Sequence, residues 1–189
     1  MGFYRITLKR SERINSKQQN FFLIGLPGSG KSTLGKSLAD FLSLRFVDLD
    51  EEIERHTGAP IRKIMEESGE DYFRTTEQHC LSRVLNFQPG FVLACGGGTP
   101  CFFDNLPRMQ ASGLVIFLNP PLELIAQRLM DSGFADRPLL AGADDLSGKI
   151  SRLYALRSKF YLQADIIYPG FSAEELAIRI SVAGTSEGN

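Results

Sequence analysis

The run Phe21-Phe22-Leu23-Ile24-Gly25-Leu26-Pro27-Gly28-Ser29-Gly30-Lys31-Ser32-Thr33 constrains the chain more than any other stretch. Its opening residues, Phe21 to Ile24, are all apolar, the mark of a parallel strand buried on both faces. A glycine-rich turn follows, and then a helix start. From Gly25 to Ser32 the turn has the form G-x-x-x-x-G-K-[ST]. Glycine reaches positive φ at little cost, so backbone N–H groups can converge on an anion. Those groups, with the helix N-terminus behind them, make a phosphate site. Lys31 is placed to reach the outer phosphates of a nucleotide, and the Ser32 hydroxyl to ligate Mg2+. Gly28, Ser29, Gly30, Lys31, Ser32 and Thr33 therefore form the candidate nucleotide-binding set.

A chain of 189 residues, 43% hydrophobic and 23% charged, can build a full core and is not disordered as a whole. With 21 Lys plus Arg against 22 Asp plus Glu, it lacks the basic excess of a nucleic-acid binder. A phosphate-handling protein of neutral balance must concentrate its cations locally, which makes individual arginines informative. Cys80, Cys95 and Cys101 form an odd set with no C-x-x-C spacing. That fits reduced cytosolic thiols packed in a core better than disulfides or zinc. No apolar run approaches the ~18 residues of a membrane span, and residues 1–20 contain no signal-peptide core. We read residues 1–20 as a flexible basic extension, 21–183 as the folded domain, 184–189 as a disordered tail, and the protein as cytoplasmic.

Beyond the glycine turn, periodicity predicts a helix to about Leu42, with Leu34, Leu38, Phe41 and Leu42 on one face. A short strand, Arg45–Asp48, follows. Asp48-Leu49-Asp50 then stands where a parallel strand delivers its carboxyl end, the edge at which open α/β sheets form their sites. Phosphoryl transfer needs a carboxylate near Mg2+ and a base for the attacking hydroxyl there. The other reading is acidic residues favouring a helix N-terminus. Thr57-Gly58-Ala59-Pro60 breaks the chain. A short helix Ile61–Ser68 closes at Gly69, and a longer one spans Glu70–Leu85, with Phe73, Cys80, Leu81, Val84 and Leu85 toward the core. Arg74 lies in its first turns, where a cation opposes the helix dipole at a cost of about a few tenths of a kcal/mol. It has either a specific anionic ligand or a surface salt bridge.

The apolar strand Phe91–Cys95 runs straight into Gly96-Gly97-Gly98-Thr99-Pro100, where glycines let a ligand approach the backbone closely; the alternative is a flexible loop. A helix Asp104–Ser112, a strand Leu114–Leu118 and a helix Leu122–Met130 follow. Asp131–Leu146 loses periodicity and carries Arg137-Pro138-Leu139-Leu140. This is either a flap whose arginine closes on a transferring phosphate or a plain loop with a solvated arginine. A helix Ser147–Ala164, a strand Asp165–Tyr168 and a last helix opened by the capping box Ser172-x-x-Glu175 complete the alternation. Strands alternating with helices specify a three-layer α/β fold on a parallel sheet, its crevice at the carboxyl ends of the strands.

Taken in order, the glycine loop Gly25–Ser32, Asp48-Leu49-Asp50, Phe73-Arg74, Gly96-Gly97-Gly98, Arg137-Pro138-Leu139-Leu140 and Arg157…Tyr161 resemble the shikimate kinase family over about Phe21 to Val182. The resemblance implies the α/β P-loop NTPase fold, a five-stranded parallel sheet in the order 2-3-1-4-5, a lid over about residues 131–146, and a monomer. It implies phosphate transfer from ATP, with Mg2+, to the 3-hydroxyl of shikimate. Under it Asp50 holds the substrate hydroxyls and assists proton removal. Phe73, Arg74, Gly96, Gly97, Gly98 and Arg157 bind substrate, the arginines through its carboxylate. Ser32 and Asp48 hold Mg2+, Asp48 through water, while Lys31 and Arg137 serve the transferring phosphate. Arg128 stacks on adenine, with the Tyr168-Pro169-Gly170 turn opposite. Two arginines suit a small carboxylate that also bears vicinal hydroxyls. Where the family usually reads Pro-Leu-Tyr after its second substrate arginine, this chain has Lys159-Phe160-Tyr161. A gluconate or nucleoside-monophosphate kinase, or a non-catalytic nucleotide-binding module, are the alternatives. The presence of Lys31, Ser32, Asp48, Asp50 and Arg137 together argues against the last.

Overall fold

The computed structural model describes residues 19–132 and 145–183. The strands are β1 Phe21–Ile24, β2 Arg45–Asp48, β3 Phe91–Ala94, β4 Leu114–Leu118 and β5 Ile166–Tyr168. All pair in parallel, in the order β2-β3-β1-β4-β5, the order the resemblance implied. The helices are α1 Lys31–Leu42, α2 Leu49–Thr57, α3 Ile61–Leu85, α4 Asn105–Ser112, α5 Leu122–Ser132, α6 Leu146–Tyr161 and α7 Ala173–Ala183.

Successive strand residues feed two cores. Phe21, Leu23, Val92, Ile116 and Ile166 pack with Leu34, Leu38, Leu176 and Ile180 of α1 and α7. Phe22, Ile24, Leu93, Val115 and Phe117 pack with Ile53, Leu81, Met109, Ile125 and Ile150 of the other helices. Because both faces of the sheet are covered, β1, β3 and β4 are apolar and buried at every position rather than at alternate ones, while the edge strand β2 carries an exposed Arg45 and a half-buried Asp48,. The result is the three-layer arrangement.

Gly69 breaks α3 as expected: its φ of 81° and ψ of 173° are non-helical and separate the two helical stretches read on either side of it. Other boundaries differ from those read off the sequence. α5 runs on to Ser132 and α6 starts at Leu146, where the Asp145 carboxylate caps it by accepting the Gly148 N–H at 2.8 Å. The aperiodic stretch is thus shorter at both ends than expected; Arg137 and the rest of the expected lid lie outside the described residues, as do most of the basic extension and the C-terminal tail. A 3-10 turn, Thr99–Cys101, follows the three glycines. At α7 the Ser172 hydroxyl accepts the Glu175 N–H at 3.1 Å, but the Ser172 N–H goes to the Tyr168 hydroxyl at 3.2 Å instead of to Glu175. Asn20 belongs to the folded unit. It is buried, donates to the Ser112 carbonyl at 3.0 Å and accepts the Gly90 N–H at 2.9 Å, tying together the starts of β3 and β4. Among the described residues no helix is long and apolar enough to cross a membrane.

Candidate active site

The carboxyl ends of β1, β2 and β3 open into a cleft of about 1170 Å³ whose lining includes Gly28, Lys31, Asp48, Asp50, Arg74 and Arg157. The glycine loop forms one wall. Gly28 and Gly30 sit at φ 80° and 94°, in the left-handed region that glycine alone enters cheaply. A Cβ at Gly28 would also fall 2.8 Å from Leu129 Cγ. Lys31 opens α1 and folds back over the loop, donating to the carbonyls of Gly25 at 3.1 Å and Leu26 at 2.9 Å. Ser29 is fully buried, its N–H donating to the Leu26 carbonyl at 3.1 Å. Ser32 and Thr33 are exposed to the cleft in the first turn of α1.

Asp48 satisfies both readings of the acidic pair. It caps α2, its Oδ1 accepting the Asp50 N–H at 3.0 Å, and its Oδ2 accepts the Ser32 hydroxyl at 2.6 Å. One carboxylate therefore locks the phosphate-loop helix to the helix that carries Asp50, and Asp50 lines the cleft beside it. Among the described residues no group of three or more His, Cys, Asp or Glu side chains is arranged to hold a metal. The adjacent Ser32 and Asp48 oxygens are hard donors of the kind Mg2+ takes when phosphate and water supply the rest of its shell.

Arg74 does have anionic partners: Glu77, which is fully buried beside it, and Glu70, which is half-exposed. The Arg74 side chain is 5% exposed. Nε and Nη2 donate to Glu70 Oε1 at 3.2 and 3.0 Å, and Nη1 donates to Glu77 Oε2 at 2.9 Å. The guanidinium lies between the rings of Phe73 and Phe102, 4.8 and 4.2 Å from their centroids. Phe73 itself is buried and reaches the cleft wall. Sequence reasoning passed over Glu77 and Phe102. The available signal for Glu77 was its place three residues after Arg74, on the same helix face.

Gly96, Gly97 and Gly98 all line the cleft, but none has positive φ. Glycine is needed for space. A Cβ at Gly98 would sit 2.6 Å from Arg74 Nη1, and one at Gly96 would sit 2.8 Å from Glu77 Oε1. On the other side Arg157, buried on α6, approaches Gly97 so closely that a Cβ there would lie 3.2 Å from its Nη1. That Nη1 is buried with no hydrogen-bond acceptor among the described residues. One turn along α6, Tyr161 donates its hydroxyl to the Gly97 carbonyl at 2.5 Å. Burial pushes the phenol's pKa well up, against the pull of Arg157, so it stays a protonated donor,. The guanidinium carbon of Arg128 stands 4.0 Å from the Phe171 centroid, and both residues line the cleft. Pro169 does not line it; Phe171, which the sequence reading did not single out, does. A Cβ at Gly170 would lie 2.6 Å from the hydroxyl oxygen of the buried Tyr168.

Sheet order, glycine loop and acidic carboxyl edge together place the chain among the P-loop kinases. Residues 27–178 match the family model described as Shikimate kinase. A shikimate kinase of Persephonella marina is 42% identical over 148 residues, 78% of this chain and 87% of the relative. Among solved structures, the shikimate kinase of Acinetobacter baumannii in complex with shikimate superimposes with a TM-score of 0.81 at 34% identity, over 90% of this chain and 96% of that one. A gluconokinase from Sinorhizobium meliloti reaches a TM-score of 0.52 at 16% identity over 89% of this chain and 91% of its own, a likeness of fold alone. The chain belongs to the shikimate kinase family.

Proposed function

We propose that the protein transfers the terminal phosphoryl group of ATP to the 3-hydroxyl of shikimate. The observation that carries this reading is the unpaired, buried Nη1 of Arg157, which faces the triple-glycine loop on the same cleft that holds Arg74, Asp50 and the phosphate loop. A buried cationic donor without an acceptor is costly, and a ligand carboxylate removes that cost.

In this reading the loop N–H groups from Gly28 to Thr33 hold the phosphates of ATP. Lys31 exchanges its loop carbonyls for phosphate oxygens as charge develops on them. Ser32, with Asp48 through water, would hold Mg2+, which when bound neutralises charge on the transferring phosphate. Arg74 and Arg157 fix the shikimate carboxylate, with Phe73 and Gly96–Gly98 shaping the ring's seat. Asp50 takes the proton of the 3-hydroxyl as its oxygen bonds to the γ-phosphorus, while the bond from that phosphorus to the bridging oxygen breaks and ADP leaves. Positioning of this kind supplies most of the catalysis in phosphoryl transfer. Arg128, stacked on Phe171, offers its other face to adenine, and Arg137 meets the transferring phosphate from the lid. A monomer in the cytoplasm, with residues 21–183 as the working unit, completes the proposal; the free state of Cys80, Cys95 and Cys101 supports that compartment,.

The test is phosphorus NMR of the product formed from shikimate and Mg-ATP. The expected result is one phosphate ester, on the 3-hydroxyl, whose formation stops when a chelator removes Mg2+. An ester on a different hydroxyl, or no ester at all, would contradict the assignment.

A further inference from the structure

Thr99 is fully buried at the end of the glycine loop, and its hydroxyl donates to Glu77 Oε1 at 2.6 Å. The second oxygen of the same carboxylate accepts from Arg74 Nη1 at 2.9 Å. Thr99 is itself held at both backbone ends. Its N–H donates to the Gly96 carbonyl at 3.2 Å, and its carbonyl accepts the buried Asn105 side-chain amide at 3.0 Å. Glu77 thus stands between a hydroxyl it cannot pull away and a guanidinium.

Resting on the shikimate reading above, we propose that Thr99 is a positioning residue for the substrate carboxylate, acting through Glu77 on Arg74. A guanidinium offers a fork that a carboxylate prefers to take with both oxygens. In this site Glu70 accepts from Nε and Nη2, and Glu77 accepts from Nη1. One hydrogen on Nη1 and one on Nη2 remain for a ligand. If Oε1 of Glu77 lost the Thr99 hydroxyl, it would be a buried carboxylate oxygen without a donor, next to the cation. The low-cost response is to turn both oxygens onto Arg74, which consumes the donors the ligand needs. By holding Oε1, Thr99 keeps Glu77 to a single bond and leaves Arg74 half open. Crowding supports the same picture: a Cβ at Gly96 would meet Glu77 Oε1, Thr99 Oγ1 and Asp50 Oδ1 at 2.8, 3.1 and 3.2 Å. The glycine keeps that corner clear for these oxygens.

The experiment is steady-state kinetics on Thr99→Val, which keeps the shape and removes the hydroxyl, and on Thr99→Ser, which keeps the hydroxyl. Thr99→Ala removes the hydroxyl without a branched side chain and carries the same expectation as Thr99→Val, should the valine variant fold poorly. Wild-type turnover of shikimate is read first and tests the functional reading by itself. With that turnover in hand, loss of the hydroxyl should raise the KM for shikimate roughly tenfold or more, the equivalent of about 1.4 kcal/mol. The KM for ATP should stay within about twofold, and Thr99→Ser should bring the shikimate KM back to within about threefold of wild type. An unchanged shikimate KM in Thr99→Val and Thr99→Ala would overturn the proposal. So would a parallel rise in both KM values, or a serine variant as impaired as the valine one, since each would reduce Thr99 to a packing role.

Discussion

Lys31 and Arg74 sit on the same cleft but are held in different ways, and their replacement should leave different traces. Lys31 donates to two loop carbonyls, which under the proposed function it exchanges for phosphate oxygens. Its removal would then take away a charge acting on the transition state. Lys31→Ala should therefore lower kcat by about 10²–10³ or more, read by coupled ADP release; a variant with near-normal turnover would contradict the assignment. Arg74 is clamped by two glutamates and two aromatic rings. Arg74→Ala would strand the charge of the fully buried Glu77, at a cost of about 3–5 kcal/mol in chemical denaturation. Arg74→Lys keeps the charge and loses the fork. It should raise the shikimate KM by roughly tenfold or more with little change for ATP; equal losses for both substrates in the folded variant would remove Arg74 from the carboxylate site. The sequence flagged Arg74 because a cation early in a helix is out of place. It did not show that the balancing charges are Glu70 and Glu77, because pairing at helical spacing looks the same whether it is solvated or buried.

At the level of elements, β1, β3 and β4 were readable because a strand covered on both sides is apolar throughout. The helices were readable from their 3.6-residue period, and Gly69 from its left-handed φ, which glycine accepts. The turn after the triple glycine was not readable, since Thr99-Pro100-Cys101-Phe102 carries no period. The glycines themselves were noticed for closeness to a ligand, but the atoms nearest them belong to Arg74, Glu77 and Arg157, contacts that arise only when distant elements pack. Gly98→Ala tests this. Its Cβ would lie 2.6 Å from a guanidinium pinned by two carboxylates, so Arg74 must shift and the shikimate KM should rise while ATP binding, measured by calorimetry, is unchanged. Equal affinity for shikimate in Gly98→Ala would show that Arg74 yields freely. The same loop sets a pH limit. Burial pushes the Cys101 thiol from 9.0 up to about 11, against the pull of Arg157 and Arg74. The folded state then keeps a proton that the unfolded chain releases, so stability falls as pH rises from about 9 to about 11 and is unaffected by this group below that window. The difference in melting temperature between Cys101→Ala and wild type should be constant up to about pH 9 and change only above it; a difference that already varies with pH around neutrality would contradict the shift.

For the whole molecule, the decisive fact is that β1 lies between β3 and β4. That order sets the phosphate loop after β1 beside the glycine loop after β3, close enough that a Cβ on Gly97 would be 3.0 Å from Pro27 Cδ. The phosphate loop and the glycine loop thus share one sheet edge, with Ser32, Asp48 and Asp50 on the same cleft. Alternating strands and helices announced a parallel three-layer fold, but no local pattern says which strands are neighbours; that order came from the resemblance. The central claim is that this edge joins a phosphate loop to a seat for a carboxylate with vicinal hydroxyls. It is tested most directly by ADP release with Mg-ATP against shikimate, quinate, gluconate and CMP. Turnover with shikimate and only background with gluconate and CMP is the predicted result. Equal or faster turnover with gluconate or CMP would leave the phosphate loop in place and take the substrate-carboxylate role away from Arg74, Arg157 and the glycine loop.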